Sequence, residues 1–184
     1  DFIVTAKDRE TIETVILPLV RNFMAERGLT LSEEKTKITH ISEGFDFLGF
    51  NIRKFPNNTL LTQPSGDAKK RFCDKIRKVI ESNKTAKQHS LIKMLNPIIT
   101  GWGNYYKYGT SAETFHRVDW EIHRKLWQWA RRRHSNKSKG WIKDKYFKTV
   151  NGRKWRFVAD MEERSKMRQI TLAYLPDIHH EKFA

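Results

Sequence analysis

From Ser65 to Arg133 apolar residues return at helical spacing in three successive runs, and packed helices are what bury all three. Ser65 or Asp67 can cap the first, which reaches about Ser82. Phe72, Ile76 and Val79 mark its inner face, with Lys69, Lys70, Arg71, Lys75, Arg77 and Lys78 around it. The second spans Gln88 to Lys107 with Leu91, Leu95, Ile98, Trp102 and Tyr105 as its stripe. Pro97 interrupts it, and Asn96 can serve as a cap if a new helix starts there. The third runs from Ser111 to Arg133, capped by Ser111 or Thr110, with Phe115, Val118, Ile122, Leu126 and Trp129 on its core side. Short loops join the runs, which predicts a three-helix bundle. Trp120 and Trp127 fall on a different side of the third helix, with Arg124 and Arg131. Two readings stay open for the tryptophans. One is base stacking; the other, which weighs more, is packing against the segment that follows. Arg124 and Arg131 are the better phosphate contacts.

The sequence before Ser65 has another character. Residues 2–6 read as a short strand, and Glu10 to Arg27 as a helix kinked near Pro18 and closed by Gly28. Leu29 to Ile41 looks extended and broken by a turn. Phe45 to Ile52 reads as a strand, and Pro56-Asn57-Asn58 turns the chain into Leu60-Leu61-Thr62. This is a βαβ-type fragment with a hairpin, so the expected class is α+β. After the third helix, Trp141, Tyr146, Phe147, Trp155 and Phe157 stand among basic residues, as in a small appended unit. From Ala159 onward the pattern is loose.

Charge divides along the same line. The 184 residues carry a formal net charge of +15. Residues 1–63 hold 8 Lys/Arg against 9 Asp/Glu, and residues 64–184 hold 28 against 12, so the whole excess follows about Leu61. Between Arg131 and Arg156 there are 11 basic residues and one acidic, Asp144. Such density favours a polyanionic partner. A membrane surface fits less well, because no large apolar face accompanies the basic residues and no apolar run reaches the roughly 18–20 residues of a span. The single cysteine, Cys73, excludes an internal disulfide and a Cys-rich zinc site. No Gly-rich phosphate loop or metal-spaced His/Cys cluster occurs, and the neighbours His179 and His180 would not share a helical face. Composition and spacing indicate a nucleic-acid-binding module and supply no reaction.

Particular strings go further. Gly28-Leu29-Thr30-Leu31-Ser32-Glu33-Glu34-Lys35-Thr36-Lys37-Ile38, then Gly44-Phe45-Asp46-Phe47-Leu48-Gly49-Phe50, resembles the last palm motifs of group II intron reverse transcriptases. Leu95-Asn96-Pro97-Ile98-Ile99-Thr100-Gly101-Trp102-Gly103-Asn104-Tyr105-Tyr106 resembles the maturase-specific, or thumb, signature of the same family. Leu126-Trp127-Gln128-Trp129-Ala130 leading into Arg131-Arg132-Arg133-His134, and Lys137-Ser138-Lys139 leading to Trp141-Ile142, add to it.

The resemblance implies the end of a polymerase palm over 1–63, a maturase-specific thumb over 64–134, and the start of a DNA-binding region over 135–184. It implies intron RNA as partner, with target DNA and a separately encoded fingers–palm chain as further partners, in a bacterial cytoplasm or a eukaryotic organelle. The intact polymerase would use Mg2+, two ions held by palm carboxylates. Asp1 would be the last residue of the family's Tyr-Ala-Asp-Asp motif, and Lys35 its late-palm lysine, a candidate general acid. Phe47, Leu48 and Gly49 would form the hairpin that grips the primer end. The upstream carboxylates and the fingers are not in this sequence, nor is the His-Asn-His nuclease of larger members. The chain alone is therefore expected to lack polymerase activity, a complete metal site and an endonuclease. RNA contact is assigned to Lys69, Lys70, Arg71, Lys75, Lys78, Lys107, Arg124, Lys125, Arg131, Arg132, Arg133, Lys137, Lys139, Lys143 and Lys145.

Overall fold

The computed structural model of the chain describes residues 2–163 and 166–178. Its described residues form five helices and two small antiparallel sheets, a mixed α and β arrangement.

Helix α1 (residues 9–25) begins at Arg9–Thr11, widens into a π-helical turn over Ile12–Ile16, and continues as Leu17–Ala25. Pro18 explains the wide turn. It has no N–H to return to the Thr14 carbonyl and its ring crowds that oxygen, so the main chain opens and Leu17 N bonds Ile12 O instead. Asp8 caps the start through Thr11 N at 2.8 Å. Gly28, at φ 67°, closes the end while Leu29 N reaches Met24 O and Gly28 N reaches Ala25 O, the paired bonds of a Schellman ending. No described residue of α1 is buried.

Residues 2–6 form no strand, against the sequence expectation, because no neighbouring strand among the described residues offers them a ladder. The βαβ arrangement is therefore absent among the described residues. Phe45–Ile52 is also not one strand. It divides into β1 (Phe45–Phe47) and β2 (Phe50–Lys54), folded back at Leu48 and Gly49, whose φ values of 47° and 81° make a tight turn of the kind that suits hairpin twist. Strand β3 (Leu60–Pro64) completes the sheet in the order β1-β2-β3, with Phe45 opposite Ile52 and Phe50 opposite Pro64.

Four helices follow: α2 (Gly66–Ser82), α3 (Gln88–Tyr106), α4 (Ala112–Arg133) and α5 (Lys139–Tyr146). Ser65 caps α2 by accepting from Ala68 N at 3.2 Å, as its sequence promises. Pro97 does not break α3. It lies on the exposed side, where water can satisfy the carbonyl it leaves free, and Asn96 is no cap. Instead the Asn96 side chain donates to Thr171 O at 3.0 Å and accepts from Ala173 N at 2.8 Å. The buried side of α3 is Leu91, Ile92, Leu95, Ile99, Gly103 and Tyr106, turned from the expected stripe, and Tyr105 is exposed. A Cβ at Gly103 would collide with Ile178, so the last described residues cover that side of the helix. Phe115, Val118, Ile122, Leu126 and Trp129 of α4 are all buried, as expected.

The C-terminal region is not a loose appendage. Strands β4 (Phe147–Val150), β5 (Arg153–Glu163) and β6 (Lys166–Thr171) pair antiparallel in that order, and a short 3-10 turn, Leu175–Asp177, follows. Ile142, Tyr146, Phe147, Phe157, Leu172 and Leu175 share one hydrophobic cluster with the inner faces of α2, α3 and α4. An irregular register between Lys148 and Val150, with Trp155 at φ 61°, bends the β4–β5 hairpin toward α4.

Candidate nucleic-acid interface

Helix α5 sets the densest basic surface. Ser138 caps it by accepting from Trp141 N at 3.2 Å, and this fixes Trp141 on the first turn, exposed. Lys137 Nζ and Lys145 Nζ stand 5.4 and 4.7 Å from the Trp141 ring centre, and the His134 ring packs edge-on at 4.8 Å. The His134 Nε2 shares a 2.7 Å hydrogen bond with Tyr146 Oη. Desolvation, then the charges of Lys145, Arg133 and Lys137, hold the imidazole below its ordinary pKa. An exposed indole ringed by ammonium groups is a surface on which an unpaired base can stack while its phosphates meet the cations.

A second surface follows α2. Arg71, Lys75 and Lys78 recur at i, i+4 and i+7 along one flank, exposed, with Lys70 further round and Lys69 half-buried. None of these five has an ion-pair partner among the described residues, whereas Arg77 is paired to Asp74 at 2.9 Å. Arg131 and Arg132, at the end of α4, are likewise exposed and unpaired there.

Several other assigned residues are engaged elsewhere. Arg133 donates from one guanidinium nitrogen to Lys84 O and Ala86 O, each at 2.8 Å, and covers the Trp129 ring at 4.5 Å. It holds the α2–α3 loop. Arg124 is paired with Glu121 at 2.6 Å and lies over Trp120 at 5.5 Å. Lys143 contacts Asp144 at 3.6 Å and the Trp155 ring at 5.6 Å. Lys107 approaches the Tyr108 ring at 4.9 Å, Lys125 is half-buried, and Lys139 is exposed. The two tryptophans of α4 outside its core stripe, Trp120 and Trp127, part company. Trp127 packs 5.7 Å from both Phe147 and Trp155, while Trp120 is 61% exposed.

Sequence reasoning missed two lysines. Lys148 and Lys154 join Lys143 around a groove of about 520 Å³ walled by Phe147 and Trp155, with Lys148 also held by Asp160 at 2.7 Å. Only the β4–β5 hairpin brings them together, and no spacing in the chain announces it.

At the other end, Lys35 sits exposed on a turn in which Lys35 N bonds Ser32 O at 3.2 Å. Asp1 lies outside the described residues. Among those described, no group of three or more His, Cys, Asp or Glu side chains is arranged to hold a metal, so the two-ion site implied for an intact polymerase does not fit them. Phe47, Leu48 and Gly49 occupy the β1–β2 turn, which α3 holds closely. Tyr105 Oη donates to Leu48 O at 2.8 Å and Ser65 N to Gly49 O at 2.8 Å. Phe50 stacks on Tyr105 at 5.5 Å and meets Tyr106 edge-on at 4.8 Å.

The segment that carries both basic surfaces, from Lys69 in α2 to Phe147 at the start of β4, matches the family model described as group II intron, maturase-specific domain. Residues 69–147 are similar to a group II intron maturase-specific domain. No curated protein matches the chain. The matched segment includes the Leu95–Tyr106, Leu126–His134 and Lys137–Ile142 strings whose resemblance pointed to it. It also ends where the β4–β5 hairpin begins, so α5 and its lysines lie within it.

Proposed function

We propose that this chain is the thumb and basic extension of a group II intron reverse transcriptase, binding structured intron RNA to assist splicing and mobility. The observation that carries the reading is two sets of exposed, unpaired cations, one along α2 and one at α4–α5 with Lys137 and Lys145 around Trp141, within the residues that match the maturase-specific domain. In this reading the exposed side chains of Arg71, Lys75, Lys78, Arg131, Arg132, Lys137, Lys139 and Lys145 meet phosphate. Arg133 acts by holding the α2–α3 loop. In this reading residues 1–63 are the end of the palm, and the turn at Leu48-Gly49 is a primer-grip element fixed to the thumb by Tyr105. The setting would be a bacterial cytoplasm or an organelle, with target DNA as a further polyanion.

Each phosphate neutralised releases about one counterion, so affinity should fall steeply with salt. Filter binding of the chain to the cognate intron and to a scrambled RNA of equal length, at two salt concentrations, tests this. Preferential, salt-dependent binding of the intron supports it; equal weak binding of both refutes a specific maturase role.

A second reading has its own support. Val15, Leu19 and Phe23 of α1 are all more than half exposed, as is Phe2, which leaves an apolar face without a partner among the described residues. A separately encoded fingers–palm chain, seated on that face, would rebuild an RNA-directed DNA polymerase that needs Mg2+. Primer extension by the chain alone should then fail and be restored by the second chain.

A further inference from the structure

Between α4 and β5 lies a second cavity, of about 590 Å³, which shares only Lys154 and Trp155 with the groove above. Its size falls within the roughly 300–1,000 Å³ of ordinary small-ligand pockets. One wall is the α4 stripe of His116, Trp120 and His123, at i, i+4 and i+7; the opposite wall is the first half of β5, and Leu172–Tyr174 closes one end. Four aromatic residues line it: Trp120 from α4, Trp155 and the buried Phe157 from β5, and Tyr174 from the segment after β6. Trp120 is 61% exposed, Trp155 is 42% exposed, and the Tyr174 ring packs against His116 at 6.5 Å. A core would not leave two indoles this open.

The polar groups are as unusual. The Nε2 of His123 is buried at the inner wall and has no hydrogen-bond partner, although its ring lies 6.1 Å from Trp155. Asp119 Oδ1 accepts from Leu175 N at 3.3 Å. Arg153 is paired with Asp177 and lies 4.9 Å over Tyr174, so its charge is largely matched. Lys154, exposed and without an ion-pair partner among the described residues, is the cation free at the mouth. Arg156 is engaged, donating to Leu172 O at 2.6 Å and lying 4.5 Å over Tyr174. Aromatic faces on several sides, hydrogen-bonding groups inside and one unengaged positive charge at the rim describe a receptor for a flat heteroaromatic ring attached to a phosphate.

We infer that this cavity takes a single unpaired nucleotide, extruded from the RNA, with its base stacked on Trp120 and its phosphate near Lys154. The inference rests on the RNA-binding reading and adds to it a site for one base, apart from the cation surfaces. Stacking tolerates any base, whereas the Asp119 carboxylate accepts from exocyclic amines and so favours bases that carry one. A paired base cannot enter, because its faces and its amine are both occupied in the duplex.

The test compares two RNA duplexes of equal length, one carrying a single bulged nucleotide, against the full chain and its Trp120→Ala and Trp120→Phe variants. Circular dichroism confirms that each variant folds, as the exposure of Trp120 leads one to expect. The wild type should bind the bulged RNA about tenfold more tightly than the paired one, from one base–aromatic stack. Trp120→Ala should lose that preference with duplex affinity unchanged, and Trp120→Phe should keep most of it. Photocrosslinking from 4-thiouridine in the bulge should label peptides containing residues 116–123 or 153–174. Equal binding of both RNAs by the wild type, a preference that survives Trp120→Ala, or crosslinks confined to α2 or α5 would each overturn the inference while leaving RNA binding intact. Absence of binding to either RNA would overturn both.

Discussion

Gly49 offers the most decisive test of how the β1–β2 turn meets α3. Its φ is 81°, and a Cβ there would stand 2.5 Å from Tyr106 Oη, with the Tyr106 ring carbon Cζ next at 3.6 Å. Two costs are therefore separable. The left-handed backbone costs an L-residue about 1–2 kcal/mol whatever surrounds it. The collision adds about 1–3 kcal/mol more, because Tyr106 is buried among Phe50, Trp102 and Tyr105 and cannot swing aside. Gly49→Ala should then destabilise by about 2–5 kcal/mol, a drop of roughly 5–15 °C in Tm for a chain of this size. Removing the hydroxyl with Tyr106→Phe leaves the 3.6 Å contact, an ordinary one, as the nearest. In that background the same substitution should cost only the backbone share, about 1–2 kcal/mol. Thermal and urea unfolding of the four proteins gives the coupling directly. An equal cost of Gly49→Ala in both backgrounds would refute the steric argument, and a cost below about 0.5 kcal/mol in the wild type would refute the backbone argument with it.

Neighbouring arginines should separate stability from binding. Arg133→Ala leaves the Lys84 and Ala86 carbonyls without their charged donor and should cost about 2–3 kcal/mol in urea unfolding, whereas Arg132→Ala should stay within about 0.5 kcal/mol. Arg132→Ala should instead lower RNA affinity and reduce the slope of log affinity against log salt by about one. Asp119 is pushed up to about 6 by burial, against an ordinary 3.8, so the folded state binds its proton more tightly than the unfolded state does. Its contribution is full below about pH 3.8 and is lost as pH rises toward 6, a difference of up to about 3 kcal/mol. Asp119→Asn keeps an acceptor for Leu175 N and should gain stability over wild type above pH 6, with the difference vanishing near pH 4; a pH-independent difference would contradict the buried charge. Asn96→Ala removes both side-chain bonds to the C-terminal segment and should cost about 2–3 kcal/mol, with faster amide exchange at Ala173 while the α2 amides keep their protection.

Legibility in the sequence followed the range of the forces involved. The ends of α2 are set locally, by a serine cap and a run of apolar residues four apart, and they were readable to within a residue. The α4 stripe was readable for the same reason. The face of α3 was not, because what covers Gly103 is a segment some seventy residues later, held by Asn96. Strands β5 and β6 escaped notice since most of β6 faces water on both sides and carries no alternation. Residues 2–6 have the composition of a strand, but a strand exists only with a ladder partner, and composition does not supply one.

The interface followed the same logic at finer grain. Residue type identified the cations, yet Arg132 and Arg133 are adjacent and identical, and only the carbonyls of a loop from the other side of the core distinguish them. Trp120 and Trp127 are seven apart on one helix, so every periodic argument treats them alike. The bulge that turns Trp155 back onto α4 covers Trp127 and stops short of Trp120. The open indole and the cavity beneath it therefore arise from the path of the β4–β5 hairpin. A deletion that straightened that hairpin would expose Trp127 as well and remove the cavity wall that Trp155 provides.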